Sequence, residues 1–173
     1  MSNELNVKVN NPVSLKALIE KSYSVLTEIN LAVQPKLKVL SDGQELFDTY
    51  LDNFILYDSE IDITVEIAEY AEVFISIFSA GESETLGEEG GFWAYFEAGE
   101  MPYKSVFMMI ILALTYAKLT GEKIVDKSCI ITGDRYISVD NVMNIIRIST
   151  RQDFTDYSMQ ICQKLGIYFD ILG

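Results

Sequence analysis

The chain of 173 residues contains no histidine. This absence excludes Ser-His-Asp and Cys-His catalytic arrangements and any zinc site built on imidazole ligands. It also removes the side chain best suited to proton transfer near neutral pH. An enzyme with this sequence would have to use carboxylates, lysine or a bound metal. The sequence offers no motif for that chemistry, so we predict a protein that is not an enzyme and has no cofactor.

Basic residues are missing from a long central segment. Between Lys38 and Lys104 there is no lysine or arginine, whereas residues 39–103 hold sixteen of the 26 acids. The net charge of −13 comes from this segment, because the rest of the chain is nearly balanced. Such a field repels nucleic acid and anionic lipid and attracts cations or a basic protein. We therefore expect no nucleic-acid or membrane partner.

Cysteine and proline are also scarce. Cys129 and Cys162 both lie in apolar runs, which predicts buried free thiols rather than a disulfide and fits a reducing cytoplasm. The first eleven residues have neither the basic start nor the apolar core of a signal peptide. The longest apolar run, Val106–Leu114, is far shorter than the roughly 20 residues that span a bilayer. These features predict a soluble cytoplasmic protein.

Apolar residues are plentiful, at 49% of the chain, and aromatic residues make up 12%. A chain of this size and composition can bury a real core, so it is not a disordered acidic tail. We expect one globular domain spanning residues 1–173.

Hydrophobic periodicity and turn residues predict the order of elements. Alternation is clearest at 61–68, where four apolar residues share one strand face. Turns are expected at Asp42-Gly43 and Gly133-Asp134. The predicted helices are Leu15–Ile29, Tyr103–Leu119, Val139–Ile148 and a last one from a cap at Thr155 to Gly166. The predicted strands are Lys36–Leu40, Ile61–Ala68, Glu72–Ser79, Phe92–Glu97, Lys123–Val125, Cys129–Thr132, Arg135–Ile137 and a closing strand within Ile167–Leu172. The fold class is α+β, with helices packed on one face of a mostly antiparallel sheet.

Three acids alternate along the chain just before and within the clearest strand. Asp58, Glu60 and Asp62 would share one face of an extended segment, and such a face can hold Ca²⁺ or Mg²⁺. The segment lacks the glycine and the distal glutamate of an EF-hand loop. The same acids also serve as a solvated strand edge that blocks aggregation. The sequence leaves both interpretations open and predicts no specific metal site.

The loop Gly81–Gly91 combines four glycines with four glutamates. Its acids would repel a phosphate and no P-loop lysine follows, which excludes nucleotide binding. The loop is either an ordinary solvated connection or an acidic segment that docks on a basic groove. Trp93 follows it in an aromatic run and is either a core residue or an anchor of an interface.

The segment from Tyr103 to Asp126 resembles a pattern of bacterial immunity proteins. In these antidotes to contact-dependent growth inhibition toxins and related polymorphic toxins, a long apolar helix ends in a Thr-Gly turn and passes into a short strand ending in Asp. The corresponding residues here are Thr120, Gly121, Ile124 and Asp126. The resemblance implies a small acidic cytoplasmic protein that binds one cognate toxin, commonly a basic nuclease, and blocks its active site or substrate path.

Our leading hypothesis is therefore an acidic immunity or inhibitor protein for a basic toxin domain. The alternatives are a carboxylate-based or metal-dependent enzyme and a structural or assembly subunit. The sequence does not indicate whether the protein self-associates. The predicted partner-binding residues are Asp58, Glu60, Asp62, Glu66, Glu82, Glu84, Glu88, Glu89 and Trp93.

Overall fold

The computed structural model describes residues 4–29, 31–57, 60–67, 71–80, 90–100, 102–147 and 153–169. Its strands are β1 (Glu4–Lys8), β2 (Val13–Ser14), β3 (Leu37–Ser41), β4 (Gln44–Glu45), β5 (Ile55–Leu56), β6 (Ile61–Ile67), β7 (Ala71–Ala80), β8 (Gly91–Ala98), β9 (Ile124–Val125) and β10 (Tyr136–Ile137). Its helices are α1 (Leu15–Glu28), α2 (Asp48–Leu51), α3 (Pro102–Thr120), α4 (Val139–Arg147) and α5 (Phe154–Lys164).

Eight of these strands form one antiparallel sheet in the order β10-β9-β1-β8-β7-β6-β3-β4. Strands β6, β7 and β8 form the predicted meander, with Ile63 opposite Ile75 and Ile75 opposite Phe96. A separate two-stranded ladder joins β2 to β5. The predicted α+β class is confirmed.

Alternation gives the large sheet two faces. One face carries Leu5, Val65, Ile75 and Phe96, which are all buried, and we call it the inner face. Helix α3 packs on this face against β1, β7, β8 and β9, and α1, α4 and α5 surround the helix. Because α3 is enclosed on every side, fourteen of its nineteen residues are buried, Met108 and Met109 among them. The predicted buried central helix is confirmed.

Two elements, β3 and α3, end at the turn residues that the sequence predicts. Asp42 and Gly43 both have positive φ, which is the geometry of a two-residue hairpin turn, and they join β3 to β4. Gly121 follows α3 with φ of 75°, and its N–H donates to the Ala117 carbonyl at 2.8 Å. This is the glycine C-cap expected from Thr120-Gly121.

The strand predicted at Cys129–Thr132 is wrong, and β10 pairs with β9 instead. The physical reason is the buried carboxylate of Asp126, which accepts hydrogen bonds from the N–H groups of Ser128 at 3.1 Å and Ile131 at 2.7 Å. The chain is thereby coiled around this side chain. Cys129 adopts φ of 51° and Thr132 φ of 59°, which no strand allows.

Other predictions fail in detail. Asp153, not Thr155, caps α5 and accepts from the Asp156 N–H at 2.9 Å. Residues 167–169 are not a strand, and the rest of the predicted closing strand lies outside the described residues. Both cysteines are free as predicted, but only Cys162 is buried, because Cys129 sits on the exposed coil after Asp126. Strand β1, which the sequence analysis missed, is at the middle of the sheet.

Candidate partner-binding face

The outer face of the sheet, opposite α3, carries an exposed phenylalanine ringed by acids. Phe74 on β7 is 37% exposed. Glu97 lies directly opposite it on β8, and Glu72 precedes it by two residues on the same strand face. Asp62 and Glu66 on β6 flank Thr64, the residue opposite Phe74 on that side. We call Phe74 with these four acids the Phe74 patch.

The register brings like charges together in and beside this patch. Glu66 lies directly opposite Glu72, and Glu97 lies directly opposite Glu4. Directly opposed side chains have Cβ atoms about 5 Å apart, and like charges in such pairs are destabilising. Among the described residues, the one ion pair in the patch joins Lys38 Nζ to Glu66 Oε2 at 3.1 Å. The patch thus keeps a surplus of negative charge.

Gly99 positions one of these acids. The side chain of Glu72 lies across the bare Cα of Gly99, so that a Cβ placed there would come within 2.3 Å of Glu72 Cγ. The Gly99 N–H also donates to the Glu72 carbonyl at 2.9 Å. Any larger residue at position 99 would displace the Glu72 side chain. Glycine is required here for close approach rather than for its backbone conformation.

A second aromatic group lies beside the patch on the same face. The rings of Phe78 and Tyr95 stack with centroids 4.1 Å apart and planes within 5°. Phe78 is 39% exposed. Trp93, directly opposite Phe78, is only 4% exposed and packs with Val125 in a small cluster that is separate from the main core. Trp93 therefore lies on the predicted face but exposes little of its surface, and its role in partner binding stays a prediction.

The outer face has an acidic side and a basic side. The acids gather on β6, β7 and β8, whereas basic side chains occupy the side near β9 and β10. Lys127 lies 5.3 Å from the Tyr95 ring, and both Lys123 and Arg135 lie within 6 Å of the Tyr136 ring. This division is not visible in the sequence, because β9 and β10 follow the acidic segment at a distance along the chain.

The predicted partner-binding residues fall into two groups. Asp62 and Glu66 lie on the outer face as expected, and Glu60 is exposed just before β6. Asp58, Glu82, Glu84, Glu88 and Glu89 lie outside the described residues. The structure adds Phe74, Glu72 and Glu97, which the sequence analysis missed. A signal was present for Phe74, because it shares the polar phase of its strand with Glu72 and Ser76.

The described residues give no support to the hypothesis of a metal site. In the parts of the chain that the structure describes, no group of three or more His, Cys, Asp or Glu side chains is arranged to hold a metal ion. Glu60 and Asp62 belong to the described part, and Asp58 does not.

Asp126 is the only acid among the described residues that is fully buried, at 1% exposure. Its burial raises the pKa of the carboxyl above the ordinary value of 3.8, while the surrounding backbone N–H groups, that of Ile131 first, oppose the rise. The residue borders a small cavity with Leu5, Val106 and Ile167. Its carboxylate accepts from Ser128 and Ile131 of its own loop, so we assign it a structural role.

Helix α3 is long and apolar enough to cross a membrane by length and composition alone. In the fold, 78% of that stretch is buried by other parts of the protein. This burial is what the core helix of a folded domain shows.

A scan against protein families, a search of characterised proteins and a search of solved structures each gave no match.

Proposed function

We propose that this protein is an acidic binding protein of the immunity or inhibitor type, and that its Phe74 patch docks on a basic toxin domain. The observation that carries the proposal is the patch itself: an exposed Phe74 ringed by four carboxylates, with Lys38 as its one paired cation among the described residues. The opposed carboxylates of this arrangement cost stability, so a role in recognition is the better explanation.

The opposed glutamates support this proposal energetically. Glu66 and Glu72, and likewise Glu4 and Glu97, repel each other across neighbouring strands. A partner that brings lysine or arginine between them would relieve the repulsion on binding. The acidic field would also speed the encounter of the two proteins, with a rate that falls as salt is added.

Phe74 adds an apolar contact to the charge of the patch. An aromatic ring at the centre of an interface excludes water, and such residues dominate binding energy. A guanidinium or ammonium group above the ring face, held by Glu72 or Glu97 at its rim, would gain a cation–π contact as well as an ion pair. The toxin would thereby present its own cations to this patch. If those cations normally bind the toxin's polyanionic substrate, docking closes the substrate path.

The resemblance of the segment up to Asp126 to immunity proteins points in the same direction. That segment has the secondary structure of the pattern: helix α3, the turn at Gly121 and strand β9.

The first experiment is co-purification. The tagged chain is expressed together with the genes that adjoin its own, and the proteins it retains are identified by mass spectrometry. We expect one basic protein in stoichiometric amount, toxic when this chain is omitted. A chain that elutes alone, or with further copies of itself, would contradict the proposal.

The second experiment locates the face. A double variant, Glu72→Lys with Glu97→Lys, reverses the charge of the patch. Its control, Glu20→Lys with Asp134→Lys, makes the same charge change at two exposed acids away from the patch. We expect the patch variant to slow association with the basic partner at least tenfold and to flatten its salt dependence, and the control to have a much smaller effect. Equal effects of both would show that only net charge matters.

A further inference from the structure

A second exposed apolar surface lies at the edge of the sheet, where β4 leads into α2. Phe47 is 64% exposed, Tyr50 61% and Ile55 42%. Beside them a groove of about 420 Å³ opens between α1, β3 and α2. Its apolar walls are Ile19, Tyr23, Leu37, Leu46, Phe47 and Leu51. The groove is large enough for one or two side chains of a bound segment.

Phe47 is an unusual choice for its position. It is the N-cap of α2, where Ser, Thr, Asp or Asn would bond to a free backbone N–H, and here there is no side-chain cap bond. Its ring is not buried either, so the residue contributes neither a cap nor core packing. Natural sequences break such local rules mainly at functional sites.

The charge at the groove identifies the kind of ligand. Glu45 and Asp48 line it, and no ion pair within the described residues reaches either carboxylate. Lys38 also lines the groove but pairs with Glu66 at 3.1 Å, and nearby Lys16 pairs with Asp52 at 3.1 Å. A groove with both apolar and acidic walls is complementary to an apolar side chain flanked by basic ones. A second copy of this chain would bring further acids to the same place.

If the Phe74 patch binds a partner as proposed, its size gives a reason to expect a second contact. Three strands of about seven residues cover an area on the order of 300 Å², whereas a stable interface buries about 800 Å² on each partner. In the strand register, Phe74 lies opposite Thr64, Thr64 opposite Leu40 and Leu40 opposite Glu45. The end of the groove at Glu45 is thus three strand spacings, about 14 Å, from Phe74. Its walls at Leu37 and Val39 belong to the inner face, opposite Ile67 and Val65, so a partner that fills both must reach around the sheet edge.

We propose that this groove binds a segment of the basic partner in which one apolar side chain is flanked by lysine or arginine, with Phe47 as the main contact. The identity of the partner rests on the proposed function. The chemistry of the groove does not, because it can be tested with peptides alone.

The probe is a panel of short peptides with a central Leu, Phe or Trp between Lys and Arg residues, titrated calorimetrically at low and at high salt. Two control peptides replace the apolar residue by Ser or the basic residues by Gln. We expect at least one member of the panel to bind, more weakly at high salt, and both controls to lose at least tenfold in affinity. If no member of the panel binds, the proposal is wrong.

The main variant is Phe47→Ser. Serine is a preferred N-cap, so this change keeps or raises the stability of α2, and a loss of binding cannot be attributed to unfolding. We expect it to weaken peptide binding at least tenfold, whereas Phe74→Ser changes it less than twofold. Binding that survives Phe47→Ser, or that is lost in Phe74→Ser, would overturn the assignment.

The same variants separate this inference from the proposed function. Suppose that the charge-reversed Phe74 patch no longer binds the basic partner, and that Phe47→Ser changes neither partner binding nor peptide binding. The proposed function would then stand, and the proposal for the groove would be wrong. If peptides bind at the groove but co-purification finds no basic partner, the groove proposal would stand and the proposed function would be wrong. A dimer that Phe47→Ser converts to a monomer, seen by sedimentation equilibrium, would assign the groove to a second copy and overturn the proposal.

Discussion

The two faces of the same sheet follow opposite rules. On the inner face, Ile63 meets Ile75 and Ile75 meets Phe96, and α3 covers them all. One residue further along each strand, Thr64 meets Phe74 and Phe74 meets Glu97, and Phe74 remains exposed. The inner face consists of buried apolar side chains, whereas charged side chains surround the exposed ring on the outer face.

The comparison teaches where to look for function in a fold without catalytic motifs. On the inner face every large residue has a structural reason to be there. On the outer face the structural reason is weaker, since Phe74 is partly exposed and the like charges opposed across the strands at Glu72 and Glu97 are destabilising. Side chains that the fold does not need are the ones most naturally explained by a partner. Of four predictions, the first and the last test this contrast directly, and the other two test burial elsewhere in the fold.

The largest effect is expected from a pair of phenylalanines on neighbouring strands. Phe96→Ala on the inner face removes a fully buried ring and should lower the free energy of unfolding by about 3–5 kcal/mol. Phe74→Ala on the outer face should lower it by only about 1–2 kcal/mol, because more than a third of that residue is already exposed to water. Urea unfolding of both variants measures the difference. Comparable losses would mean that Phe74 is a structural residue, and the contrast between the faces would fail.

The two thiols should differ by orders of magnitude in reactivity. Burial raises the pKa of the Cys162 thiol to about 12, so that roughly one molecule in ten thousand carries the thiolate at pH 8. Cys129 is exposed. Titration of the native protein with a thiol reagent should therefore detect one fast thiol, and urea should release the second. In Cys129→Ser the fast reaction should disappear; two fast thiols in the native wild type would show that α5 does not pack as described.

Asp126 should give the protein a pH dependence of opposite sign to that of an ordinary paired carboxylate. Since burial raises its folded pKa above the unfolded value near 3.8, its protonated form favours the folded state. That contribution is complete below pH 3.8 and is lost as the pH rises through the folded pKa. Each unit between the two pKa values is worth about 1.4 kcal/mol.

The measurement is the unfolding free energy of the wild type minus that of Asp126→Asn, from low pH to neutrality. Asparagine leaves one backbone N–H without its acceptor at every pH, so the offset is constant and only the slope reports on the carboxyl. We expect the difference to fall as the pH rises. A difference that grows with pH would mean that the backbone N–H groups outweigh burial.

The smallest effect concerns the opposed glutamates. Glu97→Gln removes the repulsion from Glu4 and should raise the free energy of unfolding by roughly 0.2–1 kcal/mol at low salt, with the gain vanishing at high salt. Glu28→Gln is the matched control, because Glu28 pairs with Arg147 at 2.8 Å and its loss should have the opposite sign. A destabilising Glu97→Gln would indicate that the patch is built for stability after all.

Local signals predicted much of this fold. The alternation of Ile63 and Val65 with Asp62 and Thr64 sufficed for β6, the apolar run for α3, and Asp42-Gly43 for the hairpin. The same alternation placed Asp62 and Glu66 on a polar face correctly. Each of these features depends on residues that are neighbours along the chain.

What failed depends on distant residues. Strand β1 has only Leu5 and Val7 as an apolar signal, and its place in the sheet is decided by β8 and β9 far along the chain. The Cys129–Thr132 run is apolar like a strand, but a single buried carboxylate at Asp126 bends it. The Phe74 patch requires the register that sets Glu97 opposite Phe74, and periodicity within one strand does not contain that information.

The position of β1 has a consequence for synthesis of the protein. Both of its edges are covered by strands made much later, and Val125, which pairs with Asn6, follows it by 119 positions. At translation rates of about 5–20 residues per second, the ribosome needs on the order of ten seconds to reach it. Throughout that interval the segment that becomes β1 lacks at least one of the two strands that pair with it, so it cannot yet take its place in the sheet.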